Sequence, residues 1–273
     1  MRGRRLSVLM IPGLVLLLGG FLIPAVMMLL APPRTPTSAV FERLWQMLTD
    51  PYDLEIILRT VGLGLITTLT CVVLGFPIAY ILSRSSSRWS GVLLAVAIFP
   101  LLLSSVVRTF GWLVVLGSQG AIGQTLKALG LVETAPQLLY TPLAIVLGLV
   151  QLFMPLAIVA SYSALAQVDA SLDDAARGLG AGRIRTFWTV VVPLSWPGVV
   201  VAATLVFAGS VTAYTTPYLL GGSRQRMLST QLYTYSSTTI DWAAASATAI
   251  VMTILVFTVS AVSALMGRKA KVE

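Results

Sequence analysis

The sequence predicts an all-α polytopic membrane protein with six transmembrane helices and both termini on the cytoplasmic side. Three observations carry this expectation. Hydrophobic residues make up 57% of the chain and charged residues only 10%, whereas about a quarter of a soluble domain is charged. Apolar runs recur over 6–31, 56–82, 90–116, 140–165, 190–211 and 242–266, each reaching the roughly 20 residues that cross about 30 Å of hydrocarbon. With six spans the chain ends on the side where it began, and 11 of the 18 cations flank the spans on that side: Arg2, Arg4, Arg5, Arg84, Arg88, Arg177, Arg183, Arg185, Arg268, Lys269 and Lys271. Positive flanks face the cytoplasm. The other seven face outward among Glu42, Asp50, Asp53, Glu55, Glu133 and Asp241.

The same composition excludes several functions. A net charge of +8 in a soluble chain would suggest nucleic acid, but here the placement of the cations is what counts, so no nucleic-acid partner is expected. Histidine is absent and Cys71 is the single cysteine, set inside an apolar run where it reads as a small core hydrophobe. No disulfide, metal site or catalytic residue is expected from such an inventory. The chain has no Gly-x4-Gly-Lys-[Ser/Thr] loop either, so ATP, if used, belongs to a partner.

Taken in order, Arg2, Arg4 and Arg5 precede the run 6–31, which exceeds the about 7–15 residues of a signal-peptide core and reads as the first span. Arg4-Arg5 lacks the rest of a twin-arginine signal. Segment 32–55 lies outside: Pro32-Pro33-Arg34-Thr35-Pro36 is extended, and Val40, Phe41, Leu44, Trp45 and Leu48 form one face of a helix in the outer interface, ended at Asp50-Pro51. The core, 56–266, holds five spans. The second span carries Gly62, Gly64, Gly75 and Pro77, and a polar turn at 84–88 leads to the third, broken by Pro100. Loop 117–139 holds a short interfacial helix with Ile122, Leu126 and Leu129 in one stripe. The fourth span contains Pro155 and opens into a cytoplasmic loop, 166–189; the fifth has Pro193 and Pro197 in its first turns. After a break at 213–222 the chain stays mostly polar to 241, and the last span opens on alanines suited to close helix contact before a cytoplasmic tail at 267–273.

The loop 166–189 carries the sharpest signal. Ser171, with Asp173 and Asp174 behind it, reads as a helix start capped by the serine, and Gly178, Gly180 and Gly182 stop that helix after about two turns. Ala175 and Ala176 leave its backbone nearly bare beside Asp174 and Arg177, a knob suited to a partner's groove. Asp174-Ala175-Ala176, then Gly180, nine residues, and Val190-x-Val192-Pro193 resembles the EAA loop of permease subunits of binding-protein-dependent ABC importers, Glu-Ala-Ala-x-x-x-Gly-x9-Ile-x-Leu-Pro. Asp174, Val190 and Val192 stand where that pattern has Glu, Ile and Leu. Arg59-Thr60, Gly75-Phe76-Pro77-Ile78-Ala79-Tyr80, the stretch 99–109, Leu138-Leu139-Tyr140-Thr141 and the stretch 216–222 look like the polyamine branch, so the likeness spans about 56–253.

The resemblance implies a type I ABC importer permease in a bacterial inner membrane, surrounded by lipid. Its implied partners are a second permease subunit, a cytoplasmic ATPase dimer that binds ATP and Mg, and an extracytoplasmic solute-binding protein. Asp174, Ala175, Ala176, Arg177 and Gly180 would carry ATPase coupling. The expected solute is a polyamine or related small cation or zwitterion; opines, amino-acid-like compounds, ferric iron and thiamine are the alternatives. One departure matters: polyamine-type members often have an acid before the Thr-Pro of the late loop, where this chain has Ala213 and Tyr214.

Candidate path residues keep two readings each. Arg108 either snorkels or pairs structurally, or else meets an anionic or zwitterionic solute. Trp112, Tyr214, Tyr218 and Trp242 either form interfacial belts or line a path for a cation. Arg59 reads as an outer-interface anchor. A stand-alone secondary transporter would place ionisable groups near the midplane, where this chain has few.

Overall fold

The computed structural model describes residues 12–16, 18–23, 26–27, 35–85, 89–134, 136–169 and 171–269. The ends of the expected first span, the arginines at 2, 4, 5, 34 and 88, and Lys271 lie outside them. Among the described residues the structure is helical throughout, with no strand. Among the described residues four helices are long and apolar enough to cross a membrane, and a bent pair makes a fifth if its two parts are counted as one span. The chain divides into two units, 1–55 with 231–254, and 56–230 with 255–273.

In the first unit, residues 18–22 form a π turn (Leu18–Leu22). Helix α1 (Thr37–Thr49) ends at Asp50, as the Asp50-Pro51 pair requires. Its apolar stripe splits in two: Val40 and Met47 are buried, while Phe41, Trp45 and Leu48 point outward. The split follows from spacing, since 40, 44 and 47 lie about one residue's 100° from 41, 45 and 48. The stretch expected to be a polar loop is instead folded: α11 (Leu228–Tyr233) runs into a π turn at Thr234–Thr238. Ser229, Thr230 and Gln231 are buried there, each with a hydrogen-bond partner. Gln231 is 2% exposed and donates to Asp53 Oδ1 at 2.8 Å and to the Tyr235 hydroxyl at 2.7 Å. Arg43 donates to the same hydroxyl at 3.1 Å. Asp241 then caps the last long helix, α12 (Trp242–Lys269), accepting from the Ala244 N–H at 3.0 Å.

The second unit is built on α2 (Pro51–Arg84), α6 (Pro142–Leu165) and a helical run to Thr212. Thr141 caps α6 by accepting from the Ala144 N–H at 3.2 Å. The expected third span is not one helix. Helix α3 (Trp89–Ile98) tightens into a 3₁₀ turn at Phe99–Leu102, Leu103 and Ser104 are extended, and α4 (Ser105–Leu116) opens the stretch Ser105–Ala128, which lies at 91° to Gly91–Leu102. Pro100 is tolerated near the start of the 3₁₀ turn; the sharp bend falls three residues later. Helix α5 (Ala121–Ala128) turns only Ile122 into the apolar core; Leu129 stays two-thirds exposed.

The expected fifth span starts seven residues early. Helices α8 (Arg183–Thr186) and α9 (Val192–Thr212) are joined through a π turn, Phe187–Val191, so that Arg183–Thr212 is one crossing element. Pro193 has no N–H to continue the regular ladder, and the wider turn just before it absorbs that defect. Helix α9 packs on α6, where Gly198 has no room for a side chain: an added Cβ would overlap Ala164. Helix α10 (Thr215–Gly221) lies against α4 and α6. The core beneath them includes Cys71, fully buried with Ala157 and Val206.

Candidate functional site

The loop expected at 166–189 forms α7 (Ser171–Gly178) with the bounds the glycines imply. Its cap differs from expectation. The Ser171 N–H donates to Asp169 Oδ1 at 2.9 Å, so Asp169 is the capping acceptor and Ser171 the donor. That bond, with a smaller contribution from Arg84, holds the Asp169 carboxyl below the ordinary carboxylate range. At the other end Gly180 N–H donates to Arg177 O at 2.9 Å and Ala181 N–H to Ala176 O at 3.0 Å, the paired bonds of a Schellman stop. Gly180 has φ +86°, and the space around its missing Cβ is open. Backbone, not crowding within this chain, therefore requires glycine there.

Of the expected coupling residues, Asp174, Ala175, Arg177 and Gly180 are exposed and Ala176 is half-buried. Leu172, Leu179 and Ile184 stand exposed around them, Leu179 at 90%. The other carboxylate, Asp173, was not singled out by sequence. It is 4% exposed and turned inward: Arg84 Nε donates to its Oδ2 at 2.9 Å and the Tyr80 hydroxyl donates to it at 3.3 Å. Arg84 Nη1 donates to Val168 O at 2.9 Å. Two adjacent carboxylates on a helix point about 100° apart, which is the signal that one had to face the protein.

The path candidates fall on two segments that the fold joins. Thr109 on α4 and Thr216 on α10 meet through their hydroxyls at 3.3 Å. Arg108 and Trp112, one turn apart on α4, share a face. Trp112 Nε1 donates to Gln151 Oε1 of α6 at 3.4 Å, a mid-helix polar residue that apolar counting passed over. Arg108 Nε and Nη1 are buried with no hydrogen-bond partner among the described residues. Tyr214 and Tyr218 stack, centroids 5.1 Å apart. Trp242 heads α12, in the other unit. Arg59 does more than anchor: its Nη1 donates to Arg224 O at 3.3 Å.

The family described as "Binding-protein-dependent transport system inner membrane component" matches residues 72–272. The spermidine/putrescine transport system permease protein PotB of Escherichia coli (strain K12) is 30% identical over 230 residues, 83% of this chain and 84% of that protein. The molybdenum transport system permease protein ModB of Azotobacter vinelandii is 35% identical over 185 residues, 67% of this chain and 80% of that one. Among solved structures, a crystal structure of a bacterial alginate ABC transporter in complex with an alginate pentasaccharide-bound periplasmic protein aligns with TM-score 0.79 at 14% identity, over 98% of this chain and 95% of that one. That likeness is one of fold.

Proposed function

The chain belongs to the family of binding-protein-dependent transport system inner membrane components, and from that premise we propose that it is one of two permease subunits of an ATP-driven importer for a polyamine or a related small cation or zwitterion. Six spans with both termini in the cytoplasm place α7 on the inner face. There a cytoplasmic ATPase dimer, binding ATP and Mg, grips α7, while a solute-binding protein delivers its load from outside. Closure of the ATPases moves α7, and the pore helices turn from inward- to outward-facing; the solute and nucleotide act only by favouring one of the two states.

The observation that carries this reading is α7 itself: an ordered, capped helix outside the apolar elements whose outer face is two alanines, Asp174 and Arg177, ringed by exposed Leu172, Leu179 and Ile184. Exposed apolar side chains grouped in this way are the mark of a surface that another chain covers. Co-purification of an ATPase with the tagged chain, lost on cutting out 171–180, tests it. A chain purified without any ATPase that still carries solute would refute it.

For the solute, PotB supports a polyamine. A different solute is the second reading: an opine or amino-acid-like compound, whose carboxylate could meet Arg108, is favoured by the buried Nε and Nη1 of that residue, unmatched among the described residues, and by Ala213 and Tyr214, which supply no carboxylate. Ferric iron and thiamine, both cations, belong to the same alternative without that support. Thermal-shift screening of the cognate binding protein against spermidine, putrescine, octopine, arginine, ferric citrate and thiamine separates the readings: stabilisation by spermidine or putrescine alone supports the first.

A further inference from the structure

The inner end of α2 carries Phe76, Tyr80 and Arg84 at intervals of four, hence on one face. Between them they hold three parts of the loop, at Val168, Asp173 and Phe187. Arg84 takes Asp173 of α7 through Nε and Val168 O, just past the end of α6, through Nη1. Tyr80 adds its hydroxyl to Asp173 and packs its ring edge-on to Phe187, centroids 5.2 Å apart. Phe76 meets the same Phe187 at 5.7 Å, where the π turn before α9 begins. Beyond these, α7 lies against α8 and that π turn, and most of the rest of its surface is exposed.

We infer that the Arg84–Asp173 ion pair, braced by Tyr80, is a positioning clamp that makes α7 and α2 move as one body. The inference rests on α7 being the surface an ATPase moves. A buried ion pair adds little net stability once its desolvation is counted, so its use is better sought in fixing a geometry. The details agree with that: Asp173 Oδ1 and Arg84 Nη2 are also buried, with no partner among the described residues, an arrangement a stability-driven pair would avoid. What the pair does secure is a single seat for α7 on the last residue of a continuous 34-residue helix. A push on α7 then enters α2 directly as well as along the chain on either side of α7.

The test uses the full chain in lipid nanodiscs with and without its co-purifying ATPase, as Arg84→Gln, Asp173→Asn, the double variant and Arg84→Lys. Amide exchange is followed in 171–178, with α5 (Ala121–Ala128) as internal control. Each single variant is expected to raise exchange in 171–178 by at least about tenfold, as loss of one partner of a buried pair should, and the double variant no further. Arg84→Lys, unable to serve Asp173 and Val168 O together, restores it only in part. In the assembled complex the variants raise the ATP hydrolysed per [14C]putrescine imported. Unchanged exchange in 171–178, or additive effects of the two substitutions, overturns the clamp. If a variant exchanges faster in α5 too, Tyr80→Phe, which removes one 3.3 Å bond, takes its place, and no rise in 171–178 overturns the proposal equally. Wild-type chain that assembles with an ATPase but imports no putrescine would refute the polyamine reading alone, because the exchange measurement needs neither solute nor nucleotide.

Discussion

Substitutions at Gly180 can separate what this chain demands of that position from what a partner demands. The residue sits at φ +86°, and a Cβ built there meets nothing within 4 Å. Within the chain, alanine and tryptophan therefore carry the same penalty, the strain of an L-residue in the left-handed region, about 1–2 kcal/mol. Asparagine, which visits that region more readily, should lose less. An energy of that size shifts a local equilibrium by a factor of roughly 5–30, read as faster amide exchange at 179–181, where the two stop bonds from Gly180 and Ala181 would loosen. In the isolated chain the expected order is Gly slowest, then Asn, then Ala and Trp together. In the assembled transporter Trp should fall far below Ala in solute uptake, because only a neighbouring chain can object to its bulk. Equal uptake by Gly180→Ala and Gly180→Trp would refute the docking of a partner on this corner; equal exchange in all four proteins would refute the backbone argument.

The remaining expectations concern the cap, the helix packing and the path. Asp169 has a lowered pKa, so its charge-dependent contribution to α7 is complete above the ordinary carboxylate pKa of about 4 and is lost as pH falls through the lowered value; exchange in 171–178 should be flat in cap strength from pH 6 to 8, Asp169→Ala should quicken it most, and Asp169→Asn, a neutral acceptor, should fall between wild type and Asp169→Ala. Gly198→Ala forces a methyl into Ala164, an overpacking that costs about 1–3 kcal/mol, and should lower the melting temperature in detergent by several times the change in Thr109→Val. The latter removes one interhelical hydroxyl contact, worth about 0.6 kcal/mol on average in membrane proteins. A larger loss from Thr109→Val than from Gly198→Ala would reverse that ranking.

Several elements were readable in advance because one strong effect decides them. Long apolar runs became α2, α6 and α12, and glycines at 178–182 ended α7 where they stand. Two of the failures share a cause in contacts distant in sequence. Residues 223–241 look like a loop because they are polar, yet Gln231 is buried by an acid 178 positions away, Asp53. Asp173 was hidden beside Asp174 because its partner, Arg84, lies 89 positions away, and a resemblance that rests on Asp174 says nothing of its neighbour. Pro100 announced a break but not a right-angle bend, which arose instead from two extended residues, Leu103 and Ser104.

The π turn at Phe187–Val191 holds one residue more than a regular turn would. Shortening the chain by a single position there would close the wide turn and rotate everything upstream by about 100° about the axis. Phe187 would swing off Tyr80 and Phe76, and Ile184 would leave the outer surface for another bearing. The wide turn thus sets the phase between α9 and α8, and deletions within those five residues should be far less tolerated than substitutions.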